Sequence, residues 1–397
     1  MPPSFEPGAP AHGGMIPLCV PELRGNEWKY IQECLDTGWV SSVGAYVDRF
    51  ENELARRVGV KYAVATVNGT SALHIALLIA NVKPDDEVIT SSLTFIAPAN
   101  AIRYVGAYPV FIDAEPAYWQ MDLARVAAFL NDDCVRANGE TRNKKTGRRV
   151  SAILPVHILG HPVEMDPLMA LARQFNLTVI EDATEALGTK YRAHNAGQLG
   201  DIACFSFNGN KLITTGGGGM IVTNNAEWAR RAKYLTTQSK DDPIEYIHKS
   251  IGYNYRLPNP LAAMGCAQLE QLDEYIAAKR RTADFYTETL ARVPGITPMR
   301  QAPWAFSTFW MYTILVDEKE FGMSSRALLN ALGQANIQTR PLWQPLHQSA
   351  VFADIPHAVC PVSERLNQTA LSLPCSVGIT AQQRLHVADT IIGLARL

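Results

Sequence analysis

The sequence carries no surplus of charge of one sign. It contains 36 Lys and Arg residues against 38 Asp and Glu residues, which gives a formal net charge of −2 at pH 7. Without an overall basic field, the surface cannot hold nucleic acid or an anionic membrane through charge alone. A ligand that carries phosphate groups therefore needs a local site built for it.

Long apolar runs and closely spaced cysteines are also missing. No segment approaches the length of a transmembrane helix, and the start, MPPSFEPGAPAHGGM, has neither the positive end nor the apolar stretch of a signal peptide. We interpret residues 1–14 as a loose tail. No CxxC pair occurs, which excludes a zinc or redox motif of that spacing. Seven scattered cysteines, an odd number, predict reduced thiols in a cytoplasmic protein: Cys19, Cys34, Cys134, Cys204, Cys266, Cys360 and Cys375.

What the sequence does contain is a regular alternation of strand and helix patterns. KYAVATV, DEVITSS, YPVFIDA, SAILPV and LTVIED are typical of short buried strands, with helical patterns between them. One of these helices is expected to begin with Asp166 as N-cap and Pro167 as its first residue. The alternation predicts an α/β fold, with a large domain over residues 15–269 whose mostly parallel sheet is flanked by helices. A smaller C-terminal α/β domain is expected over residues 270–397.

One connection is too long for an ordinary loop. Residues 131–149, NDDCVRANGETRNKKTGRR, are polar throughout and lie between a helix and the strand SAILPV. Loops of this length are commonly functional or disordered. We interpret the segment as a solvated excursion, and a phosphate-contacting role for KKTGRR is the alternative.

The stretch FSFNGNKLITTGGGG, residues 205–219, places a single lysine, Lys211, between a tight turn and four glycines. Glycines in such a run allow close approach of the backbone or positive φ angles, although a hinge would have the same composition. Asp182 lies at the carboxyl end of the buried strand LTVIED, at the sheet edge where open α/β folds bind ligands. NGTS, residues 68–71, is a turn that opens a helix. An amine, a buried acid and a helix N-terminus are what pyridoxal phosphate needs for its aldehyde, its pyridine nitrogen and its phosphate.

Competing motifs are weaker. No GxxxxGK[ST] sequence occurs, and the glycine run lacks the GxGxxG spacing. HILGH places His157 and His161 four residues apart, as in a metal pair. Gly160 and Pro162 oppose the helix that such a pair requires, and no HExxH glutamate is present, so we predict no metal site.

The order of motifs resembles the DegT/StrS sugar aminotransferases, pyridoxal-phosphate enzymes of fold type I. The resemblance runs from about Ile16 to the last helix, through GTSALHIAL, SSLTFIAPANAI, PVFIDAEP, PVHILGHPVEMD, VIEDATEALG, GDIACFSFNGNKLITTGGGGMIVT and GYNYRLPNPLAAMGCAQLEQLD. FSFNGNK, QSKDDPIEYIH and TRPLW are more similar to the branch that acts on UDP-linked 4-keto-6-deoxy-N-acetylhexosamines in bacillosamine and legionaminic acid pathways.

The resemblance implies a role for each residue that matches a family motif. Lys211 binds the cofactor aldehyde and moves the proton between the cofactor and C4 of the sugar. Asp182 faces the pyridine nitrogen, Glu185 lies near the ring hydroxyl where many relatives carry Gln, and Phe95 stacks on the ring unless it is a core residue. The phosphate is held by the backbone and hydroxyl groups of three residues, with two more nearby: Gly69, Thr70 and Ser71, then Ser206, and Asn254 from the other subunit. The resemblance therefore predicts a homodimer with shared active sites.

The substrate contacts are expected among six residues: Trp39, Ser41, His157, Arg340, Trp343 and His347. Trp39 and Trp343 could equally be core or interface aromatics. The implied reaction moves an amino group from glutamate to C4 of UDP-4-keto-6-deoxy-N-acetylglucosamine. A GDP-perosamine type or dTDP-sugar aminotransferase is the first alternative, and a catalytically silent sensor or scaffold that binds the cofactor is the second.

Overall fold

The computed structural model describes residues 14–242 and 244–395, so the predicted tail falls outside this part except for Gly14. Thirteen α-helices are present in it: α1 Glu27–Thr37, α2 Ala45–Val58, α3 Gly69–Ile79, α4 Ala97–Tyr104, α5 Leu123–Ala128, α6 Met165–Phe175, α7 Ala226–Thr236, α8 Asn259–Glu270, α9 Leu272–Leu290, α10 Glu318–Phe321, α11 Ser325–Gln334, α12 Pro361–Thr369 and α13 Ala381–Leu394. Within these ranges no helix combines the length and the apolar character needed to cross a membrane.

Seventeen strands are found in the same ranges: β1 Tyr62–Thr66, β2 Glu87–Ser91, β3 Tyr108–Ile112, β4 Cys134–Ala137, β5 Glu140–Asn143, β6 Arg149–Leu154, β7 Thr178–Asp182, β8 Lys190–Tyr191, β9 His194–Asn195, β10 Ile202–Ser206, β11 Gly219–Thr223, β12 Lys240–Asp242, β13 Ile247–His248, β14 Ile296–Pro298, β15 Ala305–Phe306, β16 Tyr312–Val316 and β17 Ala370–Leu373. Five of the short strands form two small sheets outside the main sheet. One contains β12 and β13, and the other has the strand order β15-β8-β9.

The central sheet has the strand order β1-β11-β10-β7-β6-β2-β3. Strands β10, β7, β6, β2 and β3 are parallel to one another, whereas β11 is antiparallel to both β1 and β10. Adjacent residues of one strand, such as Val88 and Ile89, belong to separate buried clusters on opposite faces of the sheet. Since both faces are covered, the strands are continuously apolar, and the predicted α/β fold with a mostly parallel sheet is confirmed.

The polar segment 131–149 is largely exposed, in agreement with the predicted solvated excursion, but it is not an irregular loop. It folds into the antiparallel hairpin β4–β5, and β5 continues onto β6. The side-chain amide of Asn143 donates to the Glu87 carboxylate at 2.8 Å, and the Arg148 guanidinium lies 3.6 Å from the centre of the Tyr108 ring. The segment is therefore an ordered extension of the sheet, and its basic Arg148 already has an aromatic partner. A phosphate contact there stays a prediction.

The start of α6 also differs from the sequence prediction. The helix begins at Met165, and the residue in the N-cap position is Glu164, whose side chain makes no capping bond. Asp166 lies inside the first turn, where its carboxylate pairs with Arg192 at 3.0 Å. The predicted N-cap role of Asp166 is wrong by two positions, because the chain already takes helical geometry at Met165.

The C-terminal part builds a second, smaller sheet of the strands β14, β16 and β17. The N-terminal segment attaches to this part, since the Ile16 amide donates to Asn336 and the Ile16 carbonyl accepts from Gln338. Helices α8 and α9 follow one another with only Gln271 between them. The domain boundary at residues 269 and 270 stays a prediction.

Candidate active site

A cavity of about 320 Å³ lies where α3 begins and the loop between β10 and β11 turns back. It is lined by residues from six separate stretches of the chain: Asn68, Gly69, Thr70, Leu73, Phe95, Ala97, Thr184, Glu185, Ser206, Asn208, Asn210, Lys211, Trp310 and Trp343. The fold thus brings together most of the residues for which the sequence predicted a cofactor role. Ser71, Asp182 and Asn254 do not line it.

Lys211 occupies a fixed position in this cavity. Its amide donates to the Asn208 carbonyl at 2.9 Å, which closes the Asn-Gly-Asn turn directly after β10. The ammonium nitrogen lies 3.5 Å from Glu185 Oε1 and 4.1 Å from the centre of the Trp310 ring. These two non-covalent contacts fix the position of the amine. The amine nevertheless stays free to form a bond with a ligand in the cavity.

Trp310 is a cavity residue that the sequence did not reveal. In the run TFWMYTILVD it has the composition of an ordinary strand residue just before β16. Its ring nitrogen donates to the Asn210 carbonyl at 2.8 Å. Trp310 therefore contacts Lys211 through its ring, and its N–H group holds Asn210, the residue before Lys211.

The glycine run brings the backbone close to the start of α3. A Cβ atom at Gly219 would lie 2.4 Å from the Asn68 carbonyl oxygen, a distance that no side chain tolerates. Gly219 begins β11, which pairs with both β1 and β10. Close approach is thus the requirement at this glycine, as the sequence suggested, because a larger residue would push the turn at Asn68 away from the cavity.

The N-terminus of α3 provides a cradle for an anion. The Asn68 side chain caps the helix by accepting the Ser71 amide at 2.7 Å. Gly69 and Thr70 lie in the first turn, where amides have no acceptor inside the helix, and both line the cavity. A Cβ atom at Gly69 would lie 2.8 Å from Ser206 Cβ, so only glycine leaves this space open. The Ser71 amide is already bonded to Asn68, which leaves its hydroxyl for the phosphate, and the role of Ser71 as a phosphate ligand stays a prediction.

Two buried carboxyl groups lie next to Lys211. Asp182 ends β7, is only 2% exposed and accepts the Thr184 amide at 3.1 Å. Burial raises the pKa of Asp182, and hydrogen bonds from Thr184 oppose that effect only partly. Burial also raises the pKa of Glu185, against the lowering effect of the Lys211 ammonium and of the Leu159 amide, which donates to Glu185 Oε2 at 2.8 Å. Both groups would become more acidic beside an additional cation.

His157 was predicted as a substrate contact, and the structure contradicts this. The residue is fully buried. Its Nδ1 accepts the Val163 amide at 3.0 Å, so Nε2 carries the proton and donates to Glu181 at 2.9 Å. Both ring nitrogens are used inside the core, and no free atom reaches the cavity. The companion His161 is likewise bonded at both nitrogens, to the Pro162 carbonyl and the Ala302 amide.

His347 is a second predicted substrate contact that lies in the core. Its Nδ1 is 2.6 Å from the Ser92 hydroxyl and its Nε2 is 3.0 Å from Glu364, and only 6% of the residue is exposed. Because neither nitrogen is free, a direct contact with substrate is excluded in this arrangement. A polar residue within a motif can bond to other side chains of the core rather than to a ligand, which the spacing of the motif does not show.

The remaining predicted substrate residues divide into two groups. Trp343 lines the cavity with Lys211. Trp39, Ser41 and Arg340 are exposed and lie outside it in this chain. Asn254, predicted to act from the other subunit, is exposed as well and forms an isolated bridge with Thr237. Their roles stay predictions.

Glu181 is a buried carboxylate of β7, next to Asp182 in the sequence, and its replacement tests the packing and hydrogen bonding of the core beside the site. It accepts His157 and three backbone amides, those of Gly197, Leu199 and Gly200. We expect Glu181→Gln to lower the free energy of unfolding at pH 7 by about 3 kcal/mol, because one carboxamide cannot accept all four donors. Urea denaturation measures this, with the exposed Glu288→Gln as the matched control.

The pH dependence of that difference has a definite sign. Burial alone would raise the pKa of Glu181, but the hydrogen bonds from His157 and the backbone outweigh it, so the pKa is lowered. A lowered pKa in the folded state gives stability that is present above the unfolded pKa and is lost as pH falls through the folded value. The difference between wild type and Glu181→Gln should therefore shrink in acid. A difference that grows in acid would contradict the assigned network.

The residues of the cavity fit pyridoxal phosphate. An amine, Lys211, is available for the aldehyde, and the cradle at Gly69 and Thr70 suits the phosphate. Asp182 lies near enough to Lys211 for the ammonium to lower its pKa, and a protonated pyridine nitrogen would act on it in the same direction. Phe95 is 55% exposed towards this cavity, so the alternative of a core phenylalanine is wrong and its ring is free to stack.

Comparisons with known proteins agree with this chemistry. Residues 21–392 match the DegT/DnrJ/EryC1/StrS aminotransferase family. The GDP-perosamine synthase of Caulobacter vibrioides is 40% identical over 92% of this chain and 94% of its own length. The GDP-perosamine synthase of Escherichia coli O157:H7 is 38% identical over 95% of this chain and 97% of its own.

A solved structure shows the same fold. The crystal structure of DesI in the presence of its TDP-sugar product has a TM-score of 0.85, with 30% sequence identity, and the match covers 98% of this chain and 95% of that one. The chain therefore belongs to the DegT/DnrJ/EryC1/StrS aminotransferase family and is a pyridoxal-phosphate-dependent aminotransferase of nucleotide sugars.

Proposed function

We propose that the enzyme transfers an amino group from glutamate to C4 of a GDP-linked 4-keto-6-deoxy sugar, GDP-4-keto-6-deoxymannose. The observation that supports the transfer is the Lys211 amine, held 3.5 Å from Glu185 in a cavity that also contains the helix cradle. The nucleotide is inferred from the two GDP-perosamine synthases, which match more than nine tenths of this chain. The UDP sugar that the sequence motifs favoured is thereby the alternative to be tested.

The proposed roles of the chain's own residues follow from their positions. Pyridoxal phosphate, when bound, accepts the amino group from the donor and provides the electron sink that makes proton removal possible. Lys211 holds and moves the proton at its Nζ, since no other amine lines the cavity in the described ranges. Glu185 restrains that amine, and Asp182 stabilises positive charge at the pyridine nitrogen. Gly69 and Thr70 bind the phosphate by their amides.

We further propose that the active form is a homodimer. Five large apolar side chains between residues 28 and 43 are exposed in the single chain: Trp28, Leu35, Trp39, Val40 and Val43. So many exposed large apolar side chains within sixteen residues favour a surface that a second copy covers. The exposed Asn254 agrees with a residue that completes the phosphate site of a second copy.

The nucleotide is tested by comparing GDP- and UDP-linked 4-keto-6-deoxy sugars with glutamate as donor. We expect kcat/KM for the GDP sugar to exceed that for the UDP sugar by about 10²-fold or more, because a site that hydrogen-bonds one base leaves polar groups unpaired with the other. Amino-sugar formation is measured by mass spectrometry.

Reactions without glutamate and reactions with Lys211→Ala serve as controls. Preference for the UDP sugar would overturn the proposed nucleotide but keep the transamination. No turnover with GDP, UDP or dTDP keto sugars, in a protein that has bound its cofactor, would contradict the proposed reaction and favour the silent sensor.

A further inference from the structure

A lysine is buried in the core without a carboxylate. Lys279 of α9 is 1% exposed, and its ammonium donates to the Trp310 carbonyl at 2.7 Å. In residues 14–242 and 244–395, no Asp or Glu oxygen is paired with it. Its other two neighbours are sulfur atoms, Cys19 Sγ at 3.4 Å and Cys375 Sγ at 3.6 Å. A buried ammonium requires a counter-charge, and the thiols are the groups at this position that can become anionic.

The two thiols lie on neighbouring segments of backbone. The Cys375 amide donates to the Leu18 carbonyl at 2.8 Å, and the Val20 amide donates to the Ser376 hydroxyl at 3.0 Å. These bonds hold the residues on both sides of Cys19 against the segment that contains Cys375. Because both sulfurs also contact one ammonium nitrogen, the two side chains point into the same space from adjacent segments, the arrangement from which a disulfide can form.

The two thiols differ in ionisation and access. A hydrogen bond from the Cys375 thiol, together with the Lys279 charge, lowers the pKa of Cys19 to about 6 in spite of its burial. The same hydrogen bond and burial raise the pKa of Cys375 well above its ordinary value. Cys19 is half-buried, whereas Cys375 is 1% exposed. Cys19 is therefore both the thiolate and the first sulfur that a reagent meets.

Cys19 is connected to the catalytic cavity by direct contacts. Its Sγ lies 3.4 Å from the Asn210 carbonyl, which also accepts the Trp310 ring nitrogen. The Trp310 ring lies 4.1 Å from Lys211 Nζ. A disulfide at Cys19, unlike a serine that keeps a hydrogen-bond donor at this position, therefore acts on Asn210, which precedes Lys211, and on the Trp310 ring beside the Lys211 amine.

We propose that Cys19 is a peroxide-reactive modification site that forms a disulfide with Cys375 and slows the enzyme. In the first step the Cys19 thiolate attacks one oxygen of hydrogen peroxide, the O–O bond breaks, and a sulfenic acid and hydroxide form. In the second step the Cys375 sulfur attacks the Cys19 sulfur, its proton leaves with the hydroxyl group as water, and the S–S bond forms. The hydroxide takes up the proton that Cys19 released on ionising, so the peroxide is reduced to two waters as the two thiols lose two electrons. The oxidation of the two thiols does not depend on the proposed function, and only its effect on turnover rests on that function.

The test begins with chemistry that needs no turnover. The cofactor-loaded protein is treated with hydrogen peroxide, free thiols are blocked, and peptides are analysed by mass spectrometry with and without reduction. We expect a reducible link between the Cys19 and Cys375 peptides, and alkylation of Cys19 by iodoacetamide at least about tenfold faster than that of the buried Cys34 or Cys134. In Cys375→Ser, a sulfenic acid trapped by dimedone should accumulate at Cys19.

Three results would overturn the proposal. These are alkylation of Cys19 no faster than that of Cys134, oxidation of Cys19 without a link to Cys375, and a peroxide-treated wild type that keeps full turnover although linked. Cys19→Ser should retain turnover and lose its sensitivity to peroxide, whereas Cys134→Ser should stay sensitive. An enzyme inactive before peroxide treatment would count against the proposed function, and the peptide link would still decide the thiol chemistry.

Discussion

Replacement of Lys211 by alanine is expected to lower transamination by at least about 10⁴-fold, because it removes both the covalent attachment point and the proton carrier. In the described ranges, no other amine lines the cavity that could take over either role. The neighbouring Glu185 is held by the Leu159 amide, so it cannot move into the position of the lysine. The measurement is amino-sugar formation under saturating glutamate, with the visible absorption of the lysine-bound cofactor as a second readout.

A loss of this size has to be separated from unfolding. Lys83→Ala, which removes an exposed lysine on the surface, should keep full turnover and serves as the matched control. Lys211→Ala should still bind the cofactor through the helix cradle and should unfold at nearly the same urea concentration. A folded Lys211→Ala variant with more than a few per cent of the wild-type turnover would show that the proton carrier is another residue.

The residues that could be predicted from sequence are those whose role depends on a local pattern. Lys211 follows a strand through a tight turn, Asp182 ends a buried strand, and Gly69 opens a helix after a capping Asn. In each case a few adjacent residues determine where the side chain lies. Parallel strands then bring the separate ends to one edge of the sheet, and this step requires only the alternation of strands and helices.

The residues that sequence patterns could not place depend on contacts between distant segments. Trp310 contacts Lys211 although the two residues are about 100 positions apart, and the sequence around Trp310 is typical of any buried strand. Lys279 lies in a helix rich in charged residues, where nothing distinguishes a buried lysine from an exposed one. His157 and His347 occur in motifs that resemble ligand-binding loops, although both rings hold the core. Burial of a polar group depends on its partners, and these partners lie far away in the sequence.

The hairpin β4–β5 illustrates a different limit. Its strands, CVRA and ETRN, lack the apolar alternation of a half-buried strand, so composition alone favours a loop. The hairpin is stabilised by pairing with Arg149 and Val150 at the start of β6, before β7 pairs with that strand, and by single contacts such as the hydroxyl of Thr141 with the Phe175 carbonyl. Strand formation by sheet extension requires an existing sheet, which a local pattern does not contain.

Asp182→Asn is expected to lower turnover by about 10²- to 10⁴-fold while the fold is retained, since it removes the charge that stabilises a protonated pyridine nitrogen. The substitution keeps the size of the side chain and an oxygen that can accept the Thr184 amide, so the geometry of the strand end is preserved. Asp201→Asn is the matched control, because Asp201 also accepts a backbone amide, that of Val179, but lies away from the cavity. Steady-state kinetics with the preferred keto sugar measures the difference.

The same substitution should have the opposite effect on the stability of the cofactor-free protein. Burial raises the pKa of Asp182, so the folded state binds its proton more tightly than the unfolded state does. Stability from this group is therefore complete in acid and declines as pH rises through the interval between the unfolded and folded pKa values. Asn carries no charge at any pH, and we expect cofactor-free Asp182→Asn to unfold at a higher urea concentration than wild type near neutral pH, with the difference disappearing in acid. A variant that loses both turnover and stability would indicate a structural role for Asp182, whereas lower turnover with higher stability is the result expected for a carboxylate kept in the core for its charge.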